Sequence, residues 1–156
     1  MNLPPLLQVA LAAMTPLGEL RFSIPLGVVV LKQPWPTVLL LSILGNMVPV
    51  VPLLLGLERA SRLLTSFPNP VGRLLLWRAQ GLQRGYAQRF RRYGPAFLVI
   101  FVAIPLPLTG AWSGALAAWA FQIPPRFAFP LIGLGVVLAG VIVTALTLAG
   151  VLLVEG

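Results

Sequence analysis

The sequence predicts an all-α integral membrane protein built as an inverted repeat. Each half reads as a re-entrant helical hairpin followed by a full transmembrane helix, with a basic amphipathic helix between the halves. Three observations carry this. Hydrophobic residues make up 58% of the 156 and charged residues only 9%, against roughly a quarter charged in soluble domains; that leaves too little polar surface to coat a water-soluble globule. Eight of the eleven Lys and Arg residues fall between Arg59 and Arg92, a local cluster of the kind that cytoplasmic loops collect. Two proline-rich breaks, residues 15–27 (TPLGELRFSIPLG) and 104–114 (IPLPLTGAWSG), interrupt apolar runs in corresponding places.

Taken in order, residues 3–14 form an apolar run that would cover roughly half of a ~30 Å hydrocarbon core as a helix. The first break follows, with Pro16 and Pro25 as its expected kinks, and then a second half-length run to Leu31. Lys32, Gln33, Pro34 and Pro36 mark a surface turn. Residues 37–57 carry no charge and are long enough to span, with Pro49 and Pro52 inside and Asn46 available as polar glue between helices. Residues 58–93 differ in kind. From Val71 onward Leu75, Ala79, Leu82, Tyr86, Phe90 and Tyr93 recur at helical spacing, opposite Arg73, Gln80, Arg84, Gln88 and Arg91. Such a helix suits the lipid headgroup level, with Arg73, Arg84 and Arg91 meeting anionic headgroups, or equally a connector packed on the bundle.

The second half repeats the grammar. A half-length run from Gly94 leads to the second break, with expected kinks at Pro105, Pro107 and Gly110; residues 111–123 are again half-length, Pro124 and Pro125 make a turn, and residues 127–154 can span. The chain is therefore one membrane domain: repeat one 1–57, connector 58–93, repeat two 94–156. Two topologies compete. Hairpins give one crossing per half, inverted halves and termini opposite the basic segment. Kinked full spans give four crossings, but place Glu19 and Arg21 at considerable cost near a helix centre. The hairpin arrangement is favoured for that reason, and its broken backbone must then face protein or a wet cavity.

Glu19 is the acidic residue set between two apolar segments; Glu58 and Glu155 sit at the ends of apolar runs. An intramembrane carboxylate beside an arginine balances between neutral and charged forms, which suits a proton-linked switch. A structural pair holding the hairpin tip is the plainer alternative, and Arg21 could instead hold an anionic group through its planar fork. Thr109, Trp112 and Ser113 supply hydroxyls and an indole donor from the second break, and with Asn46 they complete the expected proton and substrate site. Repeats interrupted in matching places point to a transport site near the midplane.

Several classes are excluded or disfavoured. No cysteine or histidine is present, which rules out disulfides and zinc sites of the usual kind and denies Trp112-Ser113-Gly114 a serine–histidine dyad. Lys32 is not preceded by glycine, so no phosphate loop is encoded. The chain is read as a non-enzyme with no cofactor and no metal. The basic segment comes without a nucleic-acid recognition module, so no nucleic-acid partner is expected. The N-terminal run lacks a basic flank, and a cleaved signal peptide is not expected.

The joint pattern of Gly18-Glu19-Leu20-Arg21 with Ile24-Pro25, Gly45-Asn46 with Pro49, and residues 101–107 (FVAIPLP) with Thr109-Gly110-Ala111-Trp112 and Gly114 resembles the small multidrug export protein family of bacteria and archaea. The layout is also similar to the DedA group, whose resemblance implies two facing re-entrant hairpins and movement of lipid carriers such as undecaprenyl phosphate. DedA proteins carry arginines in the second hairpin, whereas Arg21 lies in the first here. The function expected is secondary, proton-coupled transport of a small amphipathic or lipid-like molecule, with Glu19 as proton site and Arg21 as its partner or an anion anchor. The alternatives are a DedA-like flippase for a polyprenyl phosphate or phospholipid, and a non-transporting membrane scaffold, which the lack of a cavity at the breaks would favour. Expected partners are membrane lipids, protons, the substrate and further copies of the chain; the expected location is a prokaryotic inner membrane with residues 58–93 in the cytoplasm.

Overall fold

The computed structural model describes residues 3–16, 18–66, 70–104 and 109–155, and side chains for all of these except 58, 60–66 and 155. The expected kinks at Pro105 and Pro107 lie outside the described residues. Among the described residues the secondary structure is entirely helical: α1 (Pro5–Met14), α2 (Glu19–Pro25), a π-helical stretch (Leu26–Val30), α3 (Trp35–Met47), α4 (Val50–Ser66), α5 (Pro70–Tyr93), a 3-10 turn (Gly94–Ala96), α6 (Phe97–Ala103), α7 (Ala111–Ala120) and α8 (Pro125–Glu155). Prolines open several of these, since a proline at the first helical positions gives up an N–H that has no partner there anyway.

Two pairs of short helices double back on themselves. A Cβ on Gly27 would lie 2.9 Å from Val9, so the π-helical stretch runs back alongside α1. The Phe97 and Phe121 rings stand 6.2 Å apart and a Cβ on Gly114 would meet Val102 at 2.6 Å, so α7 runs back alongside α6. A continuous helix would hold Val9 and Gly27 about 27 Å apart. Each pair rests on the long helix of its own half, α1 on α3 and α6 on α8. Each second arm crosses to the other half: α2 packs on α8 and α7 packs on α4. Glycines allow the close approaches; a Cβ on Gly45 would meet the Ala10 carbonyl at 2.7 Å, and one on Gly135 the Val99 carbonyl at 2.9 Å.

Among the described residues, two helical segments are long and apolar enough to cross a membrane: Trp35–Leu57, which joins α3 to α4 through Pro49, and Pro125–Val154. Their outward faces show that they are not the core of a water-soluble fold. Leu134, Val137, Leu138, Val141, Ile142 and Leu146 of α8 are exposed, and Leu153 is 84% exposed. A contiguous apolar surface of that kind marks a face made for lipid or for another protein, and on helices of spanning length it fits lipid. The protein is a helical membrane protein.

The first break ends sooner than its sequence suggests: the helix restarts at Glu19, so Arg21 and Pro25 are helical residues. Proline lacks the N–H that would reach back one turn, and beyond Pro25 the chain widens into π geometry, with Leu31 N–H donating to the Leu26 carbonyl at 2.9 Å. In α5 the apolar face expected from its spacing is largely packed: Ala79 and Leu82 are buried, Phe90 stacks on Phe121 at 4.3 Å, and Tyr86 meets Phe97 and Phe101. Tyr93 departs from it and is 49% exposed, because the helix ends there and Gly94 turns the chain at φ +58°.

Candidate functional site

The site is where the two doubled-back tips meet. Four helix ends converge there, and every break of a helix leaves backbone groups without intrahelical partners. α2 begins at Glu19, whose φ of +44° lies in the left-handed region that a side-chain-bearing residue rarely adopts. Its start is finished locally: Gly18 N–H donates to Thr15 Oγ1 at 3.0 Å, while the Thr15 hydroxyl donates back to the Ala12 carbonyl at 2.8 Å.

The other three ends are finished across the tips. The indole Nε1–H of Trp112 donates to the Met14 carbonyl, the last of α1, at 3.2 Å. Arg21 reaches the end of α6: its Nη2 donates to the Ile104 carbonyl at 3.3 Å, to the Thr109 hydroxyl at 2.9 Å and to the Thr109 carbonyl. Thr109 in turn donates to the Ile104 carbonyl at 2.8 Å. The start of α7 has a glycine, Gly110, where a capping side chain would stand. The Glu19 carboxylate occupies that place, accepting the Trp112 backbone N–H at 3.5 Å. A Cβ on Gly110 would collide with that carboxylate, and its φ of +151° is a glycine conformation. The electrostatics agree with the geometry. As carboxylate and guanidinium the two groups have the favourable sign for the helix dipole at a helix N-terminus and a helix C-terminus, and they attract each other against the cost of burial.

Behind the tips runs a polar column between α2 and α3. Ser23 donates to Ser42 at 2.8 Å, both fully buried, and a Cβ on Gly27 would meet Val38. These two pairings fix an antiparallel register, and one further turn sets Glu19 opposite Asn46. Glu19 is 7% exposed and Asn46 1%. Asn46 Oδ1 accepts no hydrogen bond among the described residues, an exception for a buried polar atom that asks for a reason.

Of the residues expected from the sequence, Glu19, Arg21, Thr109, Trp112 and Gly110 are thus in direct contact. Asn46 joins them by register. Ser113 lies half-buried in the first turn of α7, and Pro16 is exposed at the first turn. Pro25 instead lines a separate apolar groove of about 850 Å³ between the π-helical stretch and α8. The sequence reading missed the α5 side. Two cavities, of about 320 and 370 Å³, share Tyr86, Phe101 and Thr109 as a common wall, and Arg78 lines the first and Arg89 the second. Nothing in the α5 pattern marks these two arginines off from the others; only the packing of Tyr86 on α6 brings them to Thr109.

A family model described as "Putative small multi-drug export protein" matches residues 19–142, a stretch that runs from the start of α2 into α8, and the chain belongs to that family. No curated protein and no solved structure matches it.

Proposed function

We propose that the protein is a secondary transporter of a small amphipathic or lipid-like molecule, driven by protons that bind Glu19. The carrying observation is the double commitment of that side chain. As a carboxylate it caps α7 across the tips. As a carboxylic acid it loses the charge that suits a helix N-terminus and gains an O–H donor, for which Asn46, opposite in register, keeps an unused acceptor. Each protonation state therefore has its own partner, which is the differential interaction that a ligand needs to shift a conformational equilibrium. With Glu19 turned to Asn46, the α7 cap opens and the tips can part; with Glu19 charged, they close.

Several observations support the finer architecture. Helix contacts repeat between halves, α1 with α3 as α6 with α8, and α2 with α8 as α7 with α4, which supports reading the halves as an inverted repeat. The doubled-back pairs, too short to cross, support re-entrant hairpins. Under this reading the basic connector faces the cytoplasm of a prokaryotic inner membrane, and exposed Arg73, Arg84 and Arg91 meet anionic headgroups. Reporters fused to each terminus test it: both should report the face opposite residues 58–93, and termini on the same face would overturn the hairpins.

The transport reading itself is tested in proteoliposomes loaded with a pH-sensitive dye and challenged with a panel of amphipathic probes. Glu19→Gln keeps the shape and a donor for Asn46 but cannot release a proton. Probe-driven proton flux should disappear while the variant remains folded; flux at the unmodified level would remove Glu19 from the mechanism. A scaffold without transport is less well supported, because cavities reach the Thr109 tip. The flippase reading that makes Arg21 the anion anchor is likewise weaker, since its Nη2 is already engaged by Ile104 and Thr109.

A further inference from the structure

Resting on the transport reading, we infer that the transported molecule is an anionic amphipath, and that Arg78 and Arg89 of α5 bracket the way by which its headgroup reaches Thr109. The two cavities share Thr109, the residue that Arg21 holds by hydrogen bonds. Arg78 lies half-buried in the first cavity wall. Arg89 lies in the second, 5.6 Å from the centre of the Tyr86 ring, against the wall that divides the two. One guanidinium group thus lines each cavity, and no acidic side chain is among the described residues lining them. A cationic ligand would meet a like charge in both cavities, whereas an anion would find planar donors suited to phosphate or carboxylate.

The remaining walls argue for a hydrocarbon tail. Trp77 and Leu82 line the first cavity, and Phe97 and Ile100 the second. Volumes of about 320 and 370 Å³ hold a headgroup and a few methylenes, which leaves the rest of a chain in the bilayer. Gly81 fits the same account. It lines the first cavity, and a Cβ there would meet nothing within 4 Å. Glycine weakens a helix interior, and here no neighbour demands it; its effect is to keep the passage open.

The test uses the full chain in zwitterionic lipid nanodiscs, with a brominated dodecyl phosphate as probe and quenching of tryptophan fluorescence as readout. The expected result is saturable quenching that Trp77→Phe diminishes and that the matching alkyl trimethylammonium does not reproduce. Arg78→Gln with Arg89→Gln should weaken binding about tenfold or more, and lysine at both positions should restore part of it. Gly81→Leu, whose Cβ would meet nothing within 4 Å, should block quenching while the protein stays folded. The inference is overturned if the ammonium probe binds as well as the phosphate, or if the double glutamine variant binds unchanged. Competition by inorganic phosphate at equal concentration would overturn the amphipathic class and leave a free anion as the ligand. Because binding is read without a gradient, it stands or falls separately from proton flux through Glu19: binding as expected with no coupled flux removes the coupling and keeps the anion passage.

Discussion

The two tips solve the same problem with different means. Each doubled-back pair ends one helix and starts another. The first pair finishes the start of α2 with its own Thr15, a local solution within four residues. Both pairs have glycine at the N-cap, Gly18 and Gly110, and the second borrows a carboxylate from the first. At the helix ends the exchange runs both ways, but unequally: Trp112 gives α1 a neutral indole, while Arg21 gives α6 a full charge. The first tip thus borrows one neutral donor, and the second depends on charges it does not own. On the proposed transport reading, a proton on Glu19 would act on the second tip first, and α7 is the element that a change of charge there would release.

The largest effect should come from the glycines that precede the two restarted helices. Gly110→Ala forces a side chain into the Glu19 carboxylate and into a glycine conformation, and should cost about 3 kcal/mol or more. Gly18→Ala would press on Thr15 Oγ1 at 2.5 Å and the Ala12 carbonyl at 2.6 Å, from an ordinary φ, and should cost about 1–3 kcal/mol. Thermal unfolding in detergent reads both; equal losses would mean that the second tip does not lean on the first. Next come the exchanged caps. Arg21→Ala leaves the end of α6 without its charged donor and should cost about 2–3 kcal/mol, against about 1 kcal/mol for Trp112→Phe, which deletes one neutral bond. A reversed order would assign the tighter hold to the indole.

The smallest change in stability is the most informative. Asn46→Leu removes an acceptor that no described donor uses, so folding should be unchanged or improved by up to about 1 kcal/mol. Coupled proton flux should nonetheless fall, because the protonated form of Glu19 loses its partner. Normal coupling in that variant would leave the α7 cap as the sole differential contact and would simplify the switch to a single partner.

What the sequence determined by itself was everything that depends on local pattern. Hydropathy over 37–57 and 127–154 marks the long helices, because burial in lipid demands an uninterrupted apolar run. The spacing of Leu75, Ala79, Leu82, Tyr86 and Phe90 marks the packed face of α5, because a helix repeats every few residues. A carboxylate and an arginine between apolar segments mark a site, because charge is costly there and is kept where it finds partners. Tertiary structure alone decided who those partners are. The length of the first turn was misjudged because Pro25 is accommodated by π geometry rather than by a break, and proline in a sequence looks the same in either case. That Glu19 caps a helix starting at Ala111, that Arg21 closes one ending at Ala103, and that Arg78 and Arg89 flank Thr109 are long-range pairings. A chain's local preferences say which backbone groups a break will leave unmet; only the packed fold selects the side chain that meets them.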